Sequence, residues 1–287
     1  MDPRLARAKE FLAEVLAEWQ KDDALTLGAA LAYYTVFSLA PLLVLVIAIA
    51  GLVFGRAAAE GTLVTHIQDA MGPAGAKMIE DMISRASKPA SGIAATVVSL
   101  VTMGFGASSV FAQLQSSLNK IWEVQAQRRG GIRGQVNKHV TSATMVFGIG
   151  LLLLLSLAAS AALGLVHQMI AERFPVLSVV LPLANLALSF AVVTSFFAMI
   201  FKLLPDVRIE WRDVILGAVV TAFLFAVGRS LIGLYLGRAG ITSVYGAAGS
   251  LVLVLLWIYY SAQLLFLGAE FTEVYSRRFG SRRGHPP

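Results

Sequence analysis

Six apolar stretches, at about 29–54, 91–117, 140–166, 176–203, 212–236 and 245–272, dominate this chain of 287 residues. Each is long enough to cross a bilayer, because a span needs roughly 20 residues at about 1.5 Å each. Backbone polar groups find no water in lipid, so such a span must satisfy them internally as a helix. The sequence therefore predicts an all-α polytopic membrane protein with six transmembrane helices, one integral domain over 1–287. Composition agrees: 14% of residues are charged, against about 25% in a soluble domain. The second and fifth stretches are broken by glycines and polar residues and are the weakest of the six.

The formal charge of +6 raises the question of nucleic acid, and its distribution answers it. With both termini placed in the cytoplasm, sixteen lysines and arginines fall on the inner side and six on the outer, Arg229 inside the fifth span completing the 23. That asymmetry follows the positive-inside rule. The long outer loop at 55–90 is the exception, and Glu60, Asp69, Glu80 and Asp81 offset its bases. The basicity is thus read as membrane orientation, with no nucleic-acid partner. There is no cysteine, which excludes disulfides and thiol chemistry. The first apolar run follows a charged segment and is too long for a signal-peptide core, so no cleaved leader is expected.

Outside the spans, residues 4–20 carry Leu5, Ala8, Leu12, Val15, Leu16 and Trp19 at three- and four-residue steps. This predicts an amphipathic helix in the membrane interface or packed under the bundle. The outer loop predicts two short amphipathic helices. Leu63, Ile67, Ala70 and Met71 share one face, Met78, Ile79, Met82, Ile83 and Ala86 another, and "GPAG" (72–75) divides them. "QAQRRGGIRGQVNK" (125–138) reads as a basic cytoplasmic loop near anionic headgroups, and 273–287 as a basic cytoplasmic tail. Small residues four apart, Ser156, Ser160 and Gly164, and Gly233 and Gly237, mark close helix approaches in lipid.

Four stretches, "GAALAYYTVFSLAPLLVLV" (28–46), "FGASSVFAQLQSSLNKIW" (105–122), "LLPDVRIEWRDVILGAVV" (203–220) and "YGAAGSLVLVLLWIYYSAQLLFLGAEF" (245–271), occur in an order that resembles the YihY/BrkB family of bacterial inner-membrane proteins. The resemblance implies six helices in the cytoplasmic membrane with both ends inside. The family has carried two labels, virulence factor and ribonuclease BN, the second generally regarded as a misassignment. It supplies no catalytic or binding residues.

The residues themselves argue against a nuclease. His66, His139, His167 and His285 are far apart and lack carboxylates at ligand spacing, and no nucleotide-binding glycine loop occurs. No catalytic residue, metal or cofactor is expected. What remains are polar groups within spans, which are expensive there and often functional. Pro41 frees the Phe37 carbonyl and predicts a kink near 37–41. Tyr34 and Ser38 lie four apart below it, either as one face of an inward-open polar cavity or, for the tyrosine, as an interfacial anchor. Arg229 either snorkels outward or faces the bundle, with Asn185 as a neighbour. Glu270 lies near the inner end of span six, within reach of Tyr34 or of Gln113 and Gln115, or is solvated at the interface. With Gln263 these residues outline a substrate path: Tyr34, Ser38, Pro41, Gln113, Asn185, Arg229, Gln263 and Glu270. The reading is an inner-membrane transporter or flippase-like carrier of an anionic or amphiphilic, envelope-related substrate, working by alternating access. The alternative is a scaffold or assembly factor for envelope proteins, its intramembrane polar groups only joining helices. Membrane lipids, an anionic or amphiphilic substrate and a second copy of the chain are the expected partners.

Overall fold

A computed structural model describes residues 3–86, 109–124, 148, 177–238 and 249–283. Within them the chain runs α1 (Pro3–Lys21), α2 (Ala24–Phe54), α3 (Arg56–Ala86), α4 (109–121), α5 (Leu177–Leu203), α6 (Trp211–Arg238) and α7 (Gly249–Arg278). Every regular element among the described residues is helical. Three helices hold stretches long and apolar enough to cross a membrane, Leu183–Leu203, Trp211–Gly233 and Gly249–Arg278, and α2 adds the shorter apolar run Ala24–Leu39. Most of the expected spans 91–117 and 140–166 lies outside the described residues. Residues 109–117 of the first form part of α4. Gly148 of the second is helical, and a Cβ there would stand 2.1 Å from Met199 Cε of α5.

α6 and α7 pack against each other through a reciprocal pair of Gly-x-x-x-Thr steps. A Cβ at Gly217 would stand 1.8 Å from Thr272 Oγ1, and one at Gly268 would stand 2.0 Å from Thr221 Oγ1. Each helix offers a glycine where the other offers a threonine, which requires the two to run antiparallel. Both hydroxyls are satisfied inside their own helix: Thr221 donates to the Gly217 carbonyl at 2.7 Å and Thr272 to the Gly268 carbonyl at 2.6 Å. The threonines therefore bring bulk without an orphaned polar group, as lipid-embedded packing needs. The seam continues at Gly228 beneath Leu264 and Tyr260, and at Phe225, edge-on to Trp257 with ring centroids 6.1 Å apart. A Cβ at Gly233, one of the pair singled out by its spacing, would meet nothing within 4 Å among the described residues.

The outer loop corrects the sequence reading. In place of two short helices divided at 72–75, α3 is one helix of 31 residues with Pro73 inside it. Proline removes one hydrogen bond and invites a kink, but small neighbours on both sides ("MGPAGA") leave the turn uncrowded. Both halves also share one partner. Leu63 and Ile67 before the proline and Ile79, Met82 and Ile83 after it pack in one cluster with Leu39, Leu43 and Ile47 of α2. Gly55, at a positive φ of 81°, makes the break between α2 and α3. α2 itself is helical through position 41; the Pro41 side chain and the kink expected of it lie outside the described residues.

α1 covers one end of the bundle, although not with its leucine face. Phe11 meets Phe271 of α7 edge-on at 5.2 Å, and Val15 is buried, whereas Leu5, Leu12 and Leu16 remain 59%, 55% and 53% exposed. The helix thus turns ionic and aromatic groups to α7 and a leucine stripe outward, the arrangement of a helix lying in a membrane interface. α1 stops at Asp22 and Asp23. Asp23 takes the left-handed conformation (φ 56°), which Asp tolerates better than most residues, and its carbonyl accepts from Thr26 and Leu27 N–H to start α2.

Candidate functional site

At the end of the bundle that carries α1, the last turns of α7 meet α1, the start of α2 and the end of α4. α4 is stopped by Glu123 in the left-handed conformation (φ 50°), with Val124 N–H donating back to the Asn119 carbonyl at 2.9 Å. That stop buries Trp122 in the core and turns Glu123 toward Lys21. Asn119 also grips the turn after α5: its amide donates to Asp206 at 3.0 Å and accepts from Asp206 N–H at 2.8 Å.

An ion-pair network closes this end. Arg277 reaches Glu14 at 3.0 Å and Glu18 at 3.1 Å on α1, and Glu273 one turn back on α7 at 3.5 Å. Arg278 pairs with Glu14. Lys21 joins Glu18 and Glu123, both at 2.8 Å. These contacts set the ionisation of the groups on α1. Burial alone would raise the Glu18 carboxyl, but hydrogen bonds from Lys21 and Arg277 outweigh it and hold it below its ordinary value. Hydrogen bonds to Glu123 and Glu18 raise the Lys21 ammonium. Asp22 is pushed up, because burial outweighs Lys120 and Lys21 nearby.

Glu270 is the least exposed acid among the described residues. It is 1% exposed, and its Oε1 has no hydrogen-bond partner among the described residues. The charges that act on it are the carboxylates of Asp22, Glu273 and Glu18, opposed by Lys21. Other buried polar atoms at this end are also unmatched: the indole N–H groups of Trp19 and Trp122, and Gln263 Oε1. Gln263 lies against Gly28, where a Cβ would stand 2.0 Å from its amide nitrogen, and it donates to the Ala24 carbonyl at 3.3 Å. Several buried donors and acceptors at this end thus lack partners among the described residues, which native folds rarely keep without a reason. No group of three or more His, Asp or Glu side chains among the described residues is placed to hold a metal.

The family model described as virulence factor BrkB matches residues 15–287. This chain belongs to that family. Relatives with the name UPF0761 membrane protein are 26% identical over 96% of the chain in Pseudomonas aeruginosa, 27% over 93% in Alkalilimnicola ehrlichii and 28% over 89% in Pseudoalteromonas translucida. The chain spans 66%, 58% and 82% of those relatives' own lengths. No solved structure matches it. The BrkB family is one of membrane proteins and not a known enzyme family, and this chain is an integral membrane protein.

The BrkB fold brings some of the expected path residues together and separates others. Ser38 is buried and shares a hydrogen bond with Ser109 of α4 at 2.9 Å. Tyr34, one turn away, is 40% exposed and stacks edge-on with Tyr33, so the two hydroxyls do not line one buried face. Gln113 donates to Ser117 at 3.3 Å and Gln115 to Asp206 at 3.4 Å, rather than to Glu270. Asn185 and Arg229 are both exposed. Sequence reasoning missed the network around Arg277. Its signals were present: Glu14 and Glu18 are one turn apart, and Glu273 and Arg277 form an i, i+4 pair.

Proposed function

We propose that this BrkB-family protein is a membrane carrier of an anionic or amphiphilic substrate, with Glu270 as the group that responds to a bound proton or cation. The observation that carries the reading is the burial of Glu270 with an unmatched carboxylate oxygen, on a helix long and apolar enough to span the membrane. Helix packing alone does not need it. Glu273, three residues on, is held by Arg277, and Asp213 is tied to Ser281, whereas Glu270 Oε1 has no such partner among the described residues. A carboxyl left unmatched in the bundle is the kind of group that membrane proteins retain for binding and proton exchange. The charge asymmetry supports placing this end, with both termini, in the cytoplasm of a bacterial inner membrane.

The Gly–Thr seam of α6 and α7 fits a carrier in which those two helices move as one unit. It also favours the second reading, a rigid scaffold for envelope proteins. Flux separates the two. Reconstituted protein is expected to speed the exchange of a fluorescent phosphatidylglycerol, or of an organic anion, across liposome membranes under an imposed pH gradient. Glu270→Gln, inserted at equal density, should slow it about tenfold or more. Equal rates for variant and wild type remove Glu270 from the mechanism, and no flux of any probe by the wild type favours the scaffold.

A further inference from the structure

A second feature lies on the same end of the bundle, where α5 ends and α6 begins. A cleft of about 810 Å³ opens between the end of α5, the turn at 204–210, the start of α6 and the segment after α7. Four cations line it, Lys202, Arg208, Arg212 and Arg282, against a single acid, Glu210. Two of the cations are built into the wall. Lys202 donates to the Ile209 carbonyl and lies over the Trp211 ring at 5.4 Å, and the Arg282 guanidinium lies over Trp122 at 5.7 Å. Arg208 and Arg212 are exposed and form no ion pair among the described residues. Asp213, next to Arg212 in the sequence, is buried and accepts from Ser281 N–H at 2.8 Å and Ser281 Oγ at 2.7 Å. The first turn of α6 adds the positive end of its dipole.

Position decides what such a cleft would take. Lys202 and Trp211 stand at the boundaries of the membrane-length stretches Leu183–Leu203 and Trp211–Gly233, so the cleft lies where lipid headgroups lie. From it an exposed apolar stripe runs along α6 at four-residue steps through Trp211, Ile215, Val219, Phe223, Val227 and Leu231. We infer that the cleft binds the phosphate of an anionic amphiphile, Arg208 and Arg212 closing on its oxygens while the acyl chain follows the α6 stripe. Guanidinium groups suit phosphate because they offer paired donors in a plane. The inference holds whether or not the protein moves anything across the membrane.

The test is calorimetric titration of the full chain in neutral detergent with short-chain phosphatidylglycerol, and with short-chain phosphatidylcholine as the zwitterionic control. Phosphatidylglycerol should bind more tightly, with an affinity that falls as salt rises. Arg208→Gln with Arg212→Gln should weaken it about tenfold or more, Arg208→Lys with Arg212→Lys should restore part, and Lys77→Gln, an exposed cation on α3 outside the cleft, should leave it unchanged. Inorganic phosphate should compete at higher concentration, showing that phosphate is the recognised group. The inference is overturned if the two lipids bind alike, if the double glutamine variant binds as wild type does, or if inorganic phosphate binds and the lipid does not. Should the double variant fail to fold, the lipid preference and phosphate competition of the wild type still decide the matter.

Discussion

α7 is held in two ways along one length. Between Gly268 and Thr272 it touches α6 through a close glycine–threonine fit, with buried alanines Ala218, Ala222 and Ala269 in the same core. One turn later, at Glu273, Arg277 and Arg278, it holds α1 through a network of charges. The difference follows from the surroundings. Inside lipid no hydrophobic gain separates a helix–helix contact from a helix–lipid one, so close fit has to carry the association. At the bundle end water is near, charges keep part of their hydration, and a fork of hydrogen bonds can join two helices whose apolar residues face elsewhere. Steric fit tolerates almost no change in shape, whereas a charge network tolerates reshaping but responds to salt.

The largest effect is therefore expected at the seam. Gly268→Leu places a side chain where even a Cβ would stand 2.0 Å from Thr221 Oγ1, and overpacking of this kind costs about 1–3 kcal/mol or more. Here the opposing atoms belong to a threonine fixed by its own helix bond, so a sharp drop in melting temperature in detergent and in the yield of folded protein is expected. Gly268→Ala should do the same more mildly, and adding Thr221→Gly should recover part of the loss. Failure of that rescue would mean that the seam is not a local fit. Raising the salt concentration should leave the defect unchanged.

Arg277→Met breaks the other region and should behave differently. It strands Glu273, 6% exposed, and takes one partner each from Glu14 and Glu18 of α1, which keep Arg278 and Lys21. Loss of hydrogen bonds to charged groups of this kind costs about 1.5–3 kcal/mol. In the wild type, high salt should reproduce part of the effect by screening, and in the variant α1 should become more open to proteolysis. A defect that matches Gly268→Leu in size and salt independence would erase the distinction between the two regions.

How much of this could be read from the sequence depended on what kind of force set each feature. The last three apolar runs became helices close to their expected bounds, because bilayer length and backbone satisfaction leave few choices. α7 outruns its expected end at 272 by six residues, to Arg278, since the charges that ended the apolar run are bonded to α1. α3 was misread because "GPAG" is strong local punctuation, and only the shared groove of α2 keeps the helix in one piece. Glu270 was found as a polar group at the edge of a span. Its burial was not legible, because depth along α7 says nothing about α1 lying across that end. Arg229 shows the same limit from the other side: charge marked it, but which face of α6 it occupies is set by packing. The basic cleft was invisible, since Lys202, Arg212 and Arg282 come together only through tertiary structure.

The smallest expected effect sharpens the comparison within the charged region itself. Asp22 is buried at the α1–α2 break, and its side chain forms no ion pair among the described residues, unlike Glu18 beside it. Its backbone carbonyl, not its carboxylate, accepts from Lys120. Burial holds the Asp22 carboxyl above its ordinary value of 3.8, so the folded state binds a proton that the unfolded state has released. The sign follows directly: ionisation of Asp22 is less favourable in the folded protein, and stability falls as pH rises from the ordinary value through the raised one. Asp22→Asn removes that penalty while leaving the Lys120 bond to the main chain in place. A melting temperature about 1–2 °C higher at neutral pH is expected, with the gain vanishing below pH 3.8, where both proteins carry a neutral group. Glu18→Gln should show the opposite sign, because its carboxyl is held below its ordinary value by Lys21 and Arg277, and its contribution is present above that value and lost on acidification. If Asp22→Asn destabilises the protein at neutral pH, the carboxylate is doing structural work in the network after all, and the break between α1 and α2 belongs with Arg277 rather than apart from it.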